Sequence, residues 1–120
     1  MIDTALIVED QAVTAFDLKF TLKGYGFSNS VIVAKGKKAI DFIESRLPSI
    51  VLLDIKLADG ISGIEVAKKL KEREIPFIFI SAFSDPKNLI LANELKPLGI
   101  IKKPIDKKLL ENMINKFKLR

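Results

Sequence analysis

Three acidic residues, Glu9, Asp10 and Asp54, each follow a short apolar run in this chain of 120 residues. The runs, residues 5–8 and 50–53, have the continuous aliphatic composition of strands buried in a parallel sheet. Ligands of open α/β sheets bind beyond the carboxyl ends of the strands, so neighbouring strands would bring these carboxylates together. Crowded carboxylates need a proton or a cation to relieve their repulsion. Mg²⁺ is the natural cation for such an all-oxygen cluster.

Further polar residues follow later strands of the same predicted sheet. Ser81 comes after residues 77–80, and Lys103 comes soon after residues 98–101. A carboxylate is a competent nucleophile toward phosphorus, and phosphoryl transfer requires little from a protein beyond positioning and charge neutralisation. We therefore expect Asp54 to receive a phosphoryl group whose oxygens are contacted by Ser81 and Lys103.

The apolar pattern predicts five strands that alternate with five helices, which is typical of a parallel sheet covered on both faces. The strands are predicted at residues 4–8, 31–34, 50–53, 77–80 and 98–101, and the helices at 12–23, 37–47, 64–71, after an Asp85-Pro86 start, and after an Asp106 cap. Right-handed crossovers favour a doubly wound α/β sheet in the flavodoxin-like order 2-1-3-4-5, in which the first and third strands are neighbours. The length favours one domain over residues 1–120.

Apolar side chains recur at helical spacing along the predicted helices. The first helix carries Val13, Phe16 and Phe20, and the fourth is apolar nearly all round from Leu89 to Ala92. The fourth helix therefore has two interpretations. Either it leaves an exposed patch of the kind that marks a partner site, or it lies deeper in the core.

Composition excludes several kinds of chemistry. The chain has no cysteine and no histidine, which excludes disulfides, a thiol nucleophile, an imidazole base and zinc bound by either residue. No apolar run approaches the ~20 residues that cross a bilayer, so we expect a cytoplasmic protein without a membrane partner. The net charge of +5 lies wholly within residues 102–120. A solvated helix face accounts for it better than nucleic-acid binding, because no nucleic-acid motif accompanies it.

These motifs resemble the receiver domain of two-component response regulators, with a chemotaxis-regulator-like organisation, over essentially the whole chain. The resemblance rests on residues 6–10, residues 51–57, Ile80-Ser81-Ala82 and Lys103-Pro104. It implies that Asp54 accepts phosphate from the phosphohistidine of a histidine kinase or a phosphotransfer protein. It also implies that Mg²⁺ is bound by Glu9, Asp10, Asp54 and the backbone carbonyl of Lys56.

The resemblance further implies a switch rather than an enzyme. Ser81 would move toward the phosphoryl group, the Lys103–Pro104 peptide bond would be cis, and a downstream protein would bind the face from the fourth to the fifth helix. With the chain ending at Arg120, we expect output through protein contact.

Several positions depart from the family pattern. Ala58 stands where a proline usually follows the phosphorylated aspartate, and the loop holding Gly60 and Gly63 is longer by about one residue. Ile100 stands where a switch aromatic is usual, which puts the standard relay in doubt. Lys56 and Phe83 occupy positions that tune dephosphorylation in this family, and we expect a bulky Phe83 to obstruct the attacking water.

Other functions share this fold, because fold alone does not decide function. An aspartate-nucleophile phosphatase of the haloacid dehalogenase kind needs an acid two residues after the nucleophile, where this chain has Lys56. A cofactor binder of the flavodoxin kind needs a phosphate-cradling loop after the first strand, where this chain has two acids. A receiver-like module that is not phosphorylated stays open as the main alternative.

Overall fold

The computed structural model describes residues 4–57, 60–82 and 86–118, and it contains five parallel strands in one sheet of order β2-β1-β3-β4-β5. The strands are β1 (Thr4–Val8), β2 (Asn29–Val33), β3 (Ile50–Asp54), β4 (Phe77–Ser81) and β5 (Gly99–Lys102). The helices are α1 (Ala12–Gly24), α2 (Gly36–Ser45), α3 (Gly63–Glu72), α4 (Pro86–Glu94) and α5 (Lys107–Lys118). The predicted doubly wound flavodoxin-like sheet with five helices is confirmed.

Most element boundaries differ from the prediction by one or two residues. β2 begins at Asn29 and stops before Ala34, and β3 and β4 each extend by one residue. α2 ends at Ser45, because the residue before a proline disfavours helical geometry and Pro48 follows closely. The predicted cap of α5 is confirmed, since Asp106 Oδ1 accepts hydrogen bonds from the N–H groups of Lys108 and Leu109. The predicted Asp85 cap lies outside the described residues.

The core has two layers, one on each face of the sheet. Along β1, Leu6 and Val8 pack on the side of α2, α3 and α4, whereas Ala5 and Ile7 pack on the side of α1 and α5. All four are fully buried. A strand covered on both faces needs apolar residues at every position, which explains the continuous runs in the sequence.

The outward face of α1 carries the apolar residues that the sequence analysis grouped together. Val13, Phe16 and Phe20 are 84%, 65% and 78% exposed. The face that packs on the sheet carries Ala15, Leu18 and Leu22, all of which are buried. The helical spacing of Val13, Phe16 and Phe20 is therefore real, but it marks the surface of the molecule rather than its core.

The two interpretations of α4 are resolved in favour of exposure. Ala92 is buried, whereas Ile90 and Leu91 are exposed. The molecule therefore has two exposed apolar surfaces among the described residues, one on α4 and one formed by Val13, Phe16 and Phe20 of α1. Within the described residues, every helix is too short or too polar to cross a bilayer.

Strand register brings the polar strand ends to one edge of the sheet. Val8 lies opposite Leu53 in the β1–β3 pair, so Glu9 and Asp54 come at the same level. Asp54 lies opposite Ile80, and Ser81 lies opposite Lys102. α3 starts directly against this edge, because the Gly63 N–H donates to the Ile55 carbonyl at 2.7 Å. A side chain at Gly63 would overlap the Asp54 carbonyl, so this close approach requires glycine.

The two-layer core predicts very different costs for two phenylalanine truncations. Phe79→Ala removes a fully buried ring from β4 and should lower the free energy of unfolding by about 3–5 kcal/mol. Phe20→Ala removes an exposed ring and should change it by no more than about 0.5 kcal/mol. Urea denaturation of both variants measures this. Equal losses in the two variants would contradict the assignment of the α1 faces.

Candidate functional site

A cavity of about 190 Å³ lies at the carboxyl edge of the sheet. It is lined by residues from the ends of β1, β3 and β4, from α4 and from the segment after β5: Asp10, Gln11, Asp54, Ile55, Lys56, Ser81, Ala82, Asn88 and Lys103. The sheet topology therefore gathers at one place side chains that are far apart in sequence.

The three acids form a compact cluster. Carboxylate oxygens of Glu9, Asp10 and Asp54 lie within 4.8 Å of one another. Asp54 and Glu9 are buried, Glu9 with only 2% exposed, whereas Asp10 is exposed. Backbone donors orient the buried pair, since the N–H of Gln11 donates to Glu9 Oε2 at 3.0 Å and that of Lys56 to Asp54 Oδ1 at 3.1 Å.

Lys103 is the counter-charge of this cluster. Its Nζ lies 2.8 Å from Asp54 Oδ2 and 2.5 Å from Glu9 Oε1. The Gln11 side chain also accepts from Nζ, at 3.3 Å. The backbone N–H of Lys103 donates to the Ser81 carbonyl at 2.7 Å, and its peptide bond to Pro104 is cis. One lysine thus ties the segment after β5 to the ends of β1, β3 and β4.

Burial and charge act in opposite directions on these groups. Burial raises the pKa of Glu9, and the nearby Asp54 carboxylate adds to the rise, which outweighs the stabilising effect of Lys103 and of the Gln11 N–H. For Lys103, burial alone would lower the pKa. Its hydrogen bonds and ion pairs with Asp54 and Glu9 outweigh that cost, so its pKa lies above the usual value and the ammonium stays charged.

The donor set of the cluster fits a divalent cation. The three carboxylates outnumber the Lys103 ammonium that contacts two of them, so these four groups together keep a negative charge when Glu9 is ionised. All the acidic donors are oxygens, which hard cations such as Mg²⁺ prefer. Lys56, whose backbone carbonyl is the fourth ligand implied by the resemblance, also lies at the cavity.

The structure brings the predicted site residues together and adds two that the sequence analysis missed. Glu9, Asp10, Asp54, Ser81, Lys56 and Lys103 all lie at or directly behind the cavity. The additions are Gln11 and Asn88. Gln11 follows two acids at a strand end, which was a usable signal, whereas Asn88 lies within α4 and gave none. Ile100 is half-buried and packs in the core beside α4. Ala58 and Phe83 lie outside the described residues.

Comparison with known proteins assigns the chain to a family. A family model described as the response regulator receiver domain matches residues 5–115. The chain belongs to the response regulator receiver family. Receiver domains are signalling domains of two-component systems that are generally non-catalytic, and they bind Mg²⁺ at an acidic cluster like that of Glu9, Asp10 and Asp54.

Curated relatives and solved structures agree with this assignment. This receiver is 35% identical over 101 residues to the phyllosphere-induced regulator PhyR of Methylorubrum extorquens, covering 82% of the chain and 37% of PhyR. It is 33% identical over 104 residues to the DNA-binding response regulator MtrA of Mycolicibacterium paratuberculosis, covering 86% of the chain and 45% of MtrA. The chain thus spans less than half the length of these relatives.

The structural match extends over the whole domain. A CheY-like receiver domain from Methylobacillus flagellatus superposes with a TM-score of 0.83 at 30% identity, covering 98% of this chain and 99% of that one. The receiver domain of a signal transduction histidine kinase from Syntrophus aciditrophicus gives a TM-score of 0.84 at 26% identity, with coverages of 96% and 89%.

The raised pKa of Glu9 predicts a specific pH trend in stability. The folded receiver binds the Glu9 proton more tightly than the unfolded chain does, because in the unfolded chain this carboxyl group has its ordinary pKa of 4.5. The stability contributed by Glu9 is therefore greatest below that value and falls as pH rises through the raised pKa. Glu9→Gln removes the titration. In EDTA, its urea midpoint should consequently rise relative to wild type between pH 4 and pH 7.

The matched control is Glu72→Gln, which makes the same change at an exposed position at the end of α3. The trend specific to Glu9 is the excess over this control, and each tenfold difference in proton affinity corresponds to about 1.4 kcal/mol. A pH-independent difference between wild type and Glu9→Gln would show that burial does not dominate at this carboxyl group.

Proposed function

We propose that residues 1–120 act as one cytoplasmic receiver domain that accepts a phosphoryl group on Asp54 from the phosphohistidine of a histidine kinase or a phosphotransfer protein. Mg²⁺ would be held by Glu9, Asp10, Asp54 and the Lys56 carbonyl, and when bound it would neutralise charge on the phosphoryl oxygens. Phosphorylation would then switch a surface that binds a downstream protein. The membership of the receiver family supports this proposal.

The observation that carries the proposal is the environment of the Asp54 carboxylate. Asp54 lines the cavity, while Lys56 N–H holds its Oδ1 and Lys103 holds its Oδ2. A carboxylate fixed in this way is already oriented for a reactant that enters the cavity, and pre-orientation removes much of the entropic cost of the reaction. An oriented carboxylate of this kind is a competent nucleophile toward phosphorus.

The proposed step transfers one phosphoryl group from nitrogen to oxygen. An Asp54 carboxylate oxygen attacks phosphorus, the phosphorus–nitrogen bond of the phosphoimidazole breaks, and the bonding electron pair stays on the imidazole nitrogen. The product is an aspartyl phosphate, whose negative charge lies on the phosphoryl oxygens rather than on the carboxylate. Lys103 follows that charge, because its ammonium sits 2.8 Å from the reacting carboxylate and can move to a phosphoryl oxygen.

The response of the domain starts at β4. Ser81 and Ala82 line the cavity at the end of this strand, so the Ser81 hydroxyl and the Ala82 N–H are suited to donate to the new phosphoryl oxygens. Asn88 of α4 lines the same cavity, which connects the site to a helix whose Ile90 and Leu91 are exposed. Ile100 has no ring to flip. The change is therefore expected to reach the partner through α4 itself.

The face that includes α4 and α5 is the proposed output surface. Ile90 and Leu91 of α4 and Leu109 of α5 are exposed. Exposed apolar side chains grouped on one face commonly mark a protein interface, and a partner that spans α4 and α5 would cover all three. A switch requires that the partner bind the phosphorylated and unphosphorylated states with different affinity. α4 can link the two sites, because Asn88 lines the cavity and Ile90 and Leu91 are exposed to a partner.

The proposal is tested by incubation with acetyl phosphate and Mg²⁺, followed by intact-mass measurement. Wild type should gain the mass of one phosphoryl group. Asp54→Asn should gain none, because its amide is not a nucleophile at neutral pH. Asp41→Asn, which changes an exposed aspartate of α2 paired with Lys37, is the matched control and should behave as wild type. EDTA should suppress the gain in wild type.

Two results would contradict the proposal. Absence of any mass gain in wild type would favour the receiver-like module that is not phosphorylated. A gain of equal size in Asp54→Asn would show that another residue accepts the group. Continuous turnover of the phosphodonor at an enzymatic rate would instead favour the aspartate-nucleophile phosphatase, against which Lys56 argues because it offers no carboxylic acid at that position.

A further inference from the structure

Val13, Phe16 and Phe20 form an exposed apolar stripe on α1 (the α1 stripe), and its two rings border β2 rather than α5. Phe16 and Phe20 line a cavity of about 240 Å³ together with Ser28 and Ser30 beside or within β2. The α5 side of α1 is occupied differently, since Asp17 pairs there with Lys107 at 3.0 Å. Burying a phenylalanine side chain is worth about 1.5–3 kcal/mol. A surface with two such rings beside a cavity is therefore a candidate binding site.

β2 is an open edge of the sheet. It pairs with β1 on one side, and the strand order places no described strand on the other. Edge strands are usually protected by lysine, proline or a bulge. The five residues of β2, NSVIV, include no charged residue and no proline. Val31, Ile32 and Val33 are only half-buried. This edge is therefore suited to pair with a further strand.

The hydroxyl of Ser30 is an unfilled hydrogen-bonding group at this edge. Ser30 is 7% exposed, and its Oγ has no hydrogen-bond partner among the described residues. A buried hydroxyl without a partner costs about 1–3 kcal/mol. Ser30 lines both the cavity beside α1 and a neighbouring cavity of about 360 Å³.

The rim of the two cavities is basic. Lys19 and Lys23 of α1 and Arg46 after α2 contribute to their walls, and no acidic residue of the described chain does. Antiparallel pairing of β2 with a second copy would bring the same cations together, and like charges brought close repel. Charge complementarity therefore favours a different protein with acidic side chains.

We propose that β2 and the α1 stripe form a docking site for an extended segment of another protein, which adds as a strand beside β2. Strand addition supplies backbone hydrogen bonds, and alternate side chains supply specificity. Because alternate side chains point to opposite faces, the apolar side chains of the segment pack on Phe16 and Phe20 of α1, and the acidic ones lie on the other face, toward Arg46 after α2. None of these residues lines the cavity at Asp54, so the site does not depend on the proposed phosphoryl transfer.

The test is a titration of the unphosphorylated, ¹⁵N-labelled chain with an eight-residue capped peptide that alternates glutamate and valine. Amide shifts should change in residues 29–33 and in α1 around Phe16 and Phe20. The same peptide methylated on every backbone nitrogen should cause no change there, because it cannot donate to β2. Phe20→Ala should weaken binding about tenfold. Ile90→Ala, which truncates an exposed residue of α4, should leave it unchanged.

Each of the remaining outcomes would overturn the proposal. No shift in β2 up to about 1 mM peptide would exclude the docking site. Equal binding of the methylated peptide would exclude strand addition, and equal binding of a peptide with lysine in place of glutamate would exclude the charge complementarity. Self-association through β2 without peptide, detected by sedimentation and by the same amide shifts, would show that the occupant is a second copy.

Discussion

The structure of this receiver depends on how the charge of three carboxylates is compensated at one edge of the sheet. Glu9, Asp10 and Asp54 lie within 4.8 Å of one another, and two of them are buried, where an uncompensated charge would cost several kcal/mol. Lys103 reaches Glu9 and Asp54 together. The parallel register of β1 and β3 and the glycine at the start of α3 bring the backbone close together at this edge.

The compensation is incomplete, and that incompleteness fits the proposed chemistry. Lys103 contacts two of the three acids, an arrangement that suits a divalent cation and, in the proposed function, a phosphoryl group that would share the cation and the lysine. The site works at the carboxyl edge, while the β2 edge and the outer stripe of α1 offer a separate surface with its own apolar and basic character. The domain thus has an acidic site at the carboxyl edge of the sheet and, apart from it, an apolar and basic surface at the β2 edge that we propose as a protein-binding surface.

Much of this could be predicted from the sequence, because two features depend on local pattern. Continuous apolar runs predicted the strands, and right-handed crossovers predicted their order, which then placed Glu9, Asp54, Ser81 and Lys103 together. The orientation of α1 could not be predicted in the same way. Two sets of apolar residues in α1 have helical spacing. The set with the smaller side chains, Ala15, Leu18 and Leu22, faces the sheet, whereas Val13, Phe16 and Phe20 face outward. Tertiary packing, rather than spacing, made this choice. The contact of Lys103 with Glu9 and Gln11 likewise depends on side-chain positions that spacing does not encode.

The most direct test of the central role of Lys103 is calorimetric titration of Mg²⁺ into wild type and Lys103→Met. Lys103 and Mg²⁺ neutralise the same carboxylates, so removing the ammonium should make Mg²⁺ bind several-fold more tightly. Lys107→Met, which removes an exposed lysine that pairs with Asp17 away from the cavity, is the matched control and should bind Mg²⁺ as wild type does. Unchanged or weaker Mg²⁺ binding by Lys103→Met would contradict the account, because it would show that Lys103 is not the principal counter-charge of the acidic cluster.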